Sequence, residues 1–152
     1  MGTVGPLERT WQAQAAVLSA VRRAVREWGG LAGLADEVVE DLELLVTEAA
    51  SNSVEHAYRN GEPGVFELSM LLGPDGAVRV RVRDFGRWHP PPADPGYRGR
   101  GLAVIDTLGR DVALHAGPTG TRIAFTVDGT PGPATPAGPA SWWPPRPGTV
   151  LR

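Results

Sequence analysis

A short stretch near the middle of the chain carries two side chains whose chemistry suits phosphate transfer. Glu48 and Asn52 stand four residues apart, and residues four apart lie one turn apart on the same side of a helix. The carboxylate can act on a hydroxyl or a water, and the carboxamide oxygen can bind a magnesium ion. Taken alone, the pair is more typical of the solvated flank of an amphipathic helix.

A carboxylate and a glycine follow further along the chain, where a predicted strand ends. Asp84 closes the alternating segment 78–83 and is followed by Phe85 and Gly86. A buried carboxylate can accept a hydrogen bond from an exocyclic amine such as that of adenine. Gly86 would let a ring approach the backbone. Asp-Phe-Gly alone is an ordinary loop turn, so its position after the first pair is what matters.

Two further junctions complete the series in chain order. Gly99 and Gly101 flank the start of a predicted short helix, whose free N–H groups suit a phosphate chain, and Arg98 and Arg100 add positive charge there. Thr121 opens the last predicted strand and could close the site with its hydroxyl or through water. Because these pieces occur in one order, each at the end or start of an element, together they indicate a nucleotide site.

Composition bounds the kind of protein that holds these residues. The chain has 152 residues, a net charge of −2, no cysteine and no lysine. A P-loop is therefore excluded, because its phosphate-binding lysine cannot be present. Disulfides and thiolate metal sites are excluded as well. No apolar run is long enough to span a bilayer and no leader is indicated, so we expect a cytoplasmic protein with no direct nucleic-acid or membrane partner.

Hydrophobic periodicity predicts the elements that position the candidate residues. We expect helices over 7–28 and 36–58, strands over 65–72 and 78–83, a short helix after Gly101, and strands over 111–115 and 121–127. The strand 78–83 alternates valine and arginine, which predicts one buried and one solvated sheet face, with nucleic-acid binding a minor alternative for the arginines. This order is typical of an α+β, two-layer sandwich: a mixed, largely antiparallel sheet with helices on one face.

The domain boundaries follow from a change in composition near residue 129. Residues 5–128 are expected to form one domain. Residues 129–152 are mostly proline, glycine, alanine, serine and threonine and are expected to be a tail or linker, with Trp142 and Trp143 as its apolar exception.

The quoted motifs also resemble a known family. The run Glu48-Ala-Ala-Ser-Asn52-Ser-Val-Glu-His56-Ala-Tyr58 is similar to the N box of the histidine-kinase-like ATPases (the gyrase, Hsp, kinase and MutL group). Its His-Ala-Tyr ending resembles the anti-sigma-factor serine kinases of the RsbW and SpoIIAB type. The resemblance covers roughly residues 5–128 and implies the Bergerat fold with ATP and Mg²⁺ as cofactors.

The resemblance also implies a role for each matched residue. Glu48 would be the general base and Asn52 the magnesium ligand. The implied ATP-binding set is Asn52, His56, Asp84, Gly86, Arg98, Gly99, Arg100, Gly101, Leu102 and Thr121. Taken by itself, His56 is more typical of a residue that packs at a helix end. Trp88 replaces the second glycine of the family's Asp-x-Gly-x-Gly box, the lid is short and rich in proline, and no strand is predicted before the first helix.

The function implied by the resemblance is that of a protein serine kinase. Such a kinase binds a sigma factor and phosphorylates an anti-sigma-factor antagonist on serine in a partner-switching pathway. The alternative is a module of the same fold that binds proteins with little or no nucleotide, as a regulatory part of a larger phosphatase or anti-sigma protein. A sensor histidine kinase is disfavoured, and homodimer formation is left open.

Overall fold

The computed structural model describes residues 4–58, 62–86 and 99–129. The strands are β1 (Leu7–Gln12), β2 (Val65–Leu72), β3 (Ala77–Asp84), β4 (Arg110–Gly117) and β5 (Gly120–Asp128). The helices are α1 (Leu18–Leu31), α2 (Asp36–Asn52) and α3 (Gly99–Leu108). A 3-10 turn at Ala15–Val17 precedes α1, and a π-helical turn at Ser53–Ala57 continues α2.

The five strands form one sheet in the order β1-β2-β3-β5-β4. Each of these neighbouring pairs is antiparallel. The predicted α+β two-layer architecture with a largely antiparallel sheet is confirmed. The helices form one layer on the sheet, because α2 packs against both α1 and α3 and against β3 and β5. The core between the layers includes Val21, Val25, Leu42, Leu45, Phe66, Val80, Val82 and Phe125, all nearly inaccessible to solvent.

The first element is a strand, which corrects two expectations. We expected a helix over 7–28 and no preceding strand, but β1 pairs along its length with β2, Leu7 opposite Met70 and Trp11 opposite Phe66. The spacing of four between Leu7 and Trp11 fits one face of either element, because four is a multiple of the strand period and close to the helix period. Stacking of Trp11 on Phe66, with ring centroids 5.9 Å apart, favours the strand.

The helix α1 then carries the remainder of the predicted apolar stripe. Val21, Val25 and Trp28 are buried on it. The Trp28 indole N–H donates to the carbonyl of Gly5 at 2.8 Å, which holds the start of β1 over this helix. The helix ends later than the predicted residue 28, since α1 continues to Leu31 and the turn follows at Gly33, where φ is +71°.

The arginine face of β3 is only partly solvated, contrary to the prediction. Arg79 is 7% exposed, whereas Arg81 is half-buried and Arg83 is exposed. Arg79 forms an ion pair of 3.3 Å with Asp75 in the β2–β3 turn, and the two side chains are 8% and 7% exposed. Charged groups are rarely buried unless they are paired. Arg79 is therefore the arginine that is buried, because Asp75 in the turn pairs with it.

The structure bears on some of the remaining predictions about helices and domain boundaries. No helix among the described residues is long and apolar enough to cross a membrane. The short helix α3 begins at Gly99 rather than after Gly101. Trp88, Arg98, Trp142, Trp143 and nearly all of the predicted tail lie outside the described residues, so the assignment of 5–128 as a domain and 129–152 as a tail stays a prediction.

Candidate functional site

The helix α2 places Glu48 and Asn52 at the edge of the core. Leu45 and Ala49 on the same helix are fully buried, while Glu48 and Asn52 are half-buried. The predicted position at the flank of the apolar stripe is therefore confirmed. Asp36 and Glu37 occupy the first turn of α2, where negative side chains complement the positive end of the helix dipole.

Immediately after Asn52 the helix widens into the π-helical turn Ser53–Ala57. Such turns insert one extra residue per turn and are frequent at functional sites. Ser53, the first residue of this turn, is 2% exposed. Ser53 was not among the predicted site residues, because its partner on the sheet, Asp84, lies 31 residues further along the chain.

Ser53 contacts the candidate carboxylate on the sheet. Its hydroxyl donates to Asp84 Oδ2 at 3.1 Å. Asp84 Oδ1 accepts the backbone N–H of Thr121 at 3.1 Å and that of Gly86 at 3.3 Å. Asp84 is 2% exposed, so the end of β3, the start of β5 and the end of α2 converge on one buried carboxylate.

The burial of Asp84 changes the pKa of its carboxyl. Burial raises the pKa of this carboxyl above its usual value, and the three hydrogen bonds, from Thr121, Ser53 and Gly86, only partly oppose that increase. A charged carboxylate loses hydration on burial, whereas each N–H or O–H donor restores part of what was lost. A further hydrogen-bond donor from a ligand would therefore replace more of the hydration that the Asp84 carboxylate loses on burial.

The hydrogen-bonding capacity of Asp84 fits an adenine amine. An ionised carboxylate offers about four acceptor sites, and three donors reach it here. Oδ2 accepts only from Ser53 among the described residues, so it retains an acceptor site for an exocyclic N–H. The free acceptor site on Asp84 therefore fits the adenine amine of ATP.

The glycines beside Asp84 serve close packing of the backbone. A Cβ on Gly86 would lie 2.0 Å from the carbonyl oxygen of Ala57, so the π-helical turn and the end of β3 touch there. This differs from the expected reason, which was the approach of a ring. Gly120 has a φ of +143°, and a Cβ on it would lie 2.1 Å from the carbonyl oxygen of Asp84.

Tyr58 joins the same assembly and was also missed as a site residue. Its hydroxyl donates to the carbonyl of Val65 at 2.6 Å and accepts the N–H of Phe85 at 3.0 Å. Its ring lies against Gly64, where a Cβ would lie 2.1 Å from the ring. The sequence did carry a signal for this role, namely the tyrosine at the end of the His-Ala-Tyr run. A tyrosine whose ring is packed against the protein usually has a hydrogen-bond partner for its hydroxyl.

The phosphate-binding candidates lie in the first turn of α3. Gly99, Arg100, Gly101 and Leu102 are its first four residues, and the N–H groups of a first turn have no partner within the helix. Only the backbone of these residues is described, and the side chain of His56 is likewise outside the described set. Thr121 is 4% exposed and reaches Asp84 through its N–H.

Magnesium would depend on few protein ligands. Among residues 4–58, 62–86 and 99–129, no cluster of three or more histidine or acidic side chains could hold a metal. Magnesium at a nucleotide site is commonly held by one or two protein oxygens together with phosphates. The amide of Asn52, half-buried at the edge of the core, fits that arrangement.

Comparison with protein families and sequences gives the following matches. The family model of the histidine kinase-like ATPase domain matches residues 11–127. A serine-protein kinase RsbW from Listeria monocytogenes serovar 1/2a is 35% identical over 99 residues, and the match covers 55% of this chain and 62% of that protein. The chain thus spans less than two thirds of this relative. An anti-sigma F factor from Priestia megaterium is 37% identical over 51 residues, or 34% of each chain.

Solved structures resemble the fold as well. The RsbU and RsbW domains of a Mycobacterium tuberculosis protein match with a TM-score of 0.67 and 27% identity, covering 82% of this chain and 32% of that one. The histidine kinase domain of a blue-light activated kinase from Erythrobacter litoralis matches with a TM-score of 0.52 and 21% identity, covering 75% and 60%. At that identity the second likeness concerns the fold alone.

Proposed function

The chain belongs to the histidine kinase-like ATPase domain family, and on that premise we propose that it is an ATP- and magnesium-dependent serine-protein kinase of the RsbW type. The proposed partners are a sigma factor, which it binds, and an anti-sigma-factor antagonist, which it phosphorylates on serine. The observation that carries the proposal is the hydrogen bond from Ser53 to Asp84. That bond ties the helix bearing Glu48 and Asn52 to the buried carboxylate suited to adenine.

Glu48 is proposed as the general base. It would accept the proton of the acceptor serine hydroxyl, because it lies at the edge of the core with its side chain only half-buried. Phosphoryl transfer depends mostly on positioning and charge stabilisation, so one base, one metal ligand and a helix N-terminus form a sufficient set. When bound, ATP supplies the phosphoryl group and magnesium neutralises charge on its phosphates.

The remaining residues would bind and orient the nucleotide. Asn52 would hold magnesium and Asp84 the adenine amine. The N–H groups of the first turn of α3, from Gly99 to Leu102, would receive the phosphates. Thr121 positions Asp84 through its N–H and would contribute its hydroxyl to the pocket. Gly86, His56, Arg98 and Arg100 complete the proposed ATP-binding set by family resemblance.

A second candidate is a protein-binding module of the same fold that holds nucleotide weakly or not at all. It is favoured by Trp88, which occupies the place of the second glycine in the family's Asp-x-Gly-x-Gly box. In that case the partner surface would be the function, and the chain would act as a regulatory part of a larger phosphatase or anti-sigma protein. Nucleotide affinity separates the two candidates, because a kinase must bind ATP.

Thermal unfolding with and without excess ATP and magnesium tests the nucleotide site. A ligand at about a hundred times its dissociation constant adds roughly 2.7 kcal/mol of stability, which raises the midpoint by several degrees. We expect this rise for the wild type and for Gln14→Ala, which removes an exposed amide that is not in the proposed ATP-binding set. The rise should be lost in Asn52→Ala. No rise in the wild type at millimolar ATP would favour the binding module.

Transfer to serine is tested with a matched pair of α2 variants. Glu48→Gln should keep the ATP-induced rise in melting temperature but lose phosphorylation of an antagonist protein, measured as added phosphate by mass spectrometry. Glu40→Gln changes an exposed glutamate of the same helix and should phosphorylate at the wild-type rate. Normal phosphorylation by Glu48→Gln would show that another group accepts the proton.

A further inference from the structure

The sheet face opposite the helices carries a row of three basic side chains. Arg122 of β5 stands directly opposite Arg83 of β3 and, on its other side, opposite His115 of β4. Their sequence neighbours Val82, Ile123 and Leu114 are buried in the core between sheet and helices. Since successive side chains of a strand point to opposite faces, the three basic residues share the outer face.

An open cavity lies along this row at the end of the sheet. Its volume is about 280 Å³, and its lining includes Arg83, His115, Gly117, Thr119 and Arg122. Thr119 sits in the exposed β4–β5 turn and adds a hydroxyl donor at the rim. The cavity is roomy enough for a small anion together with ordered water.

The donors beside this cavity lack partners. Arg122 Nε and His115 Nε2 are both buried and have no hydrogen-bond partner among the described residues. Buried polar groups in folded proteins almost always have partners. Two such atoms in directly opposed residues therefore point to a group that the described part of the chain does not supply.

The electrostatics of the row also disfavour an empty state. Burial lowers the pKa of Arg122, and the nearby positive charges of Arg81 and Arg83 lower it further. Like charges directly opposite each other in a sheet are destabilising. Arg83 is held in place, with its guanidinium 4.7 Å from the centre of the Phe85 ring. Glu67 stands opposite Arg83 on the β2 side, which leaves the Arg122 and His115 side of the row without an acidic neighbour in register.

We propose that the row Arg83–Arg122–His115 is a binding site for a phosphate group. Two guanidinium groups carry fixed positive charge and bind phosphate oxygens in pairs. A phosphate monoester carries about −1.5 to −2 charge at pH 7, which matches two arginines better than the single charge of a carboxylate. The phosphate comes either from a phosphorylated protein residue or from free inorganic phosphate.

The cavity borders the proposed nucleotide site, since Asp84 and Thr121 also line it, but the two sites use different faces of the sheet. The side chain of Asp84 points to the helix layer, where it meets Ser53, whereas the basic row lies on the other face. Binding of phosphate here does not require ATP turnover, so the site goes beyond the proposed kinase function. A variant such as Asn52→Ala should leave it intact.

The test is calorimetric titration in chloride buffer with inorganic phosphate and, separately, with N-acetyl-O-phosphoserine amide. Arg122→Gln should weaken binding of both by at least about tenfold, as expected when one charge-assisted bidentate contact is lost. Arg22→Gln, which removes an exposed arginine of α1, and Asn52→Ala should bind as the wild type does. In wild-type NMR spectra, the Nε–H signal of Arg122 should move as phosphate is added.

The outcomes separate the two sources of phosphate. Phosphoserine binding at least about tenfold tighter than inorganic phosphate would assign the site to a phosphorylated protein residue, while equal affinities would assign it to free phosphate. No binding of either probe at 10 mM, or equal binding by Arg122→Gln, would overturn the proposal. If Arg122→Gln did not fold, the exposed Arg83→Gln would carry the same test.

Discussion

Removing one hydroxyl, that of Tyr58, should measurably destabilise the domain. In Tyr58→Phe the ring remains against Gly64, but the bonds to the Val65 carbonyl and the Phe85 N–H, of 2.6 and 3.0 Å, are lost. Each such hydrogen bond contributes about 0.5–1.5 kcal/mol net. Val65 and Phe85 are 36% and 43% exposed, so water can replace part of what is lost. We therefore expect a decrease in unfolding free energy of about 1–2 kcal/mol, toward the lower part of the summed range.

Urea unfolding, monitored by tryptophan fluorescence, measures this loss. The midpoint should fall without a change in slope, since the variant buries the same surface. In a thermal scan the melting temperature should fall by about 2–4 °C for each kcal/mol in a domain of this size. Thr107→Val is the control, because it removes a hydroxyl that donates to the Ala103 carbonyl on the exposed surface of α3.

The reasoning requires that the two variants differ. Thr107→Val should stay within about 0.5 kcal/mol of the wild type, as surface changes usually do. If Tyr58→Phe also stayed within that range, the two hydrogen bonds would not hold the π-helical turn against the end of β3. The assembly around Asp84 would then have to be maintained by packing alone.

Three other predictions concern the residues around the site and the sheet. Burial raises the pKa of Asp84, so as pH rises from about 4 the wild type should lose unfolding free energy relative to Asp84→Asn. The pKa of Asp75 is lowered because the bonds from Arg79 and Ala77 outweigh its burial, so as pH falls below about 4 the wild type should lose unfolding free energy relative to Asp75→Asn. In urea titrations each loss should be about 1.4 kcal/mol per unit of pKa difference. Gly86→Ala forces a Cβ toward the Ala57 carbonyl and should lose about 1–3 kcal/mol in urea unfolding, whereas Gly5→Ala, with no atom within 4 Å, should be neutral. Arg79→Met leaves Asp75 buried without its partner and should lose about 3–5 kcal/mol of unfolding free energy. Part of this loss should be regained in the double variant with Asp75→Asn, and Arg83→Met should change stability little. Equal losses for Arg79→Met and Arg83→Met would contradict the burial of the ion pair.

The sequence was sufficient for the features that depend on spacing within one element. The four-residue interval between Glu48 and Asn52 places both at the flank of α2, because helical geometry is local. The alternation of valine and arginine over residues 78–83 likewise predicted the strand β3, since the period of two is a property of the strand itself. The order of the motifs along the chain identified the family before any contact was known.

The features that depend on contacts between distant residues needed the tertiary structure. A spacing of four did not separate strand from helix at Leu7 and Trp11, and only pairing with β2 decided it. Arg79 and Arg83 look alike in the sequence, yet the turn at Asp75 buries the first and leaves the second exposed. Ser53, Tyr58 and Thr121 acquire their roles from partners up to 37 residues away. Residue spacing in the sequence thus determined which residues can act together within one helix or strand. The packing of these elements determined which groups from different elements meet, because hydrogen bonds and burial depend on distances that sequence separation does not specify.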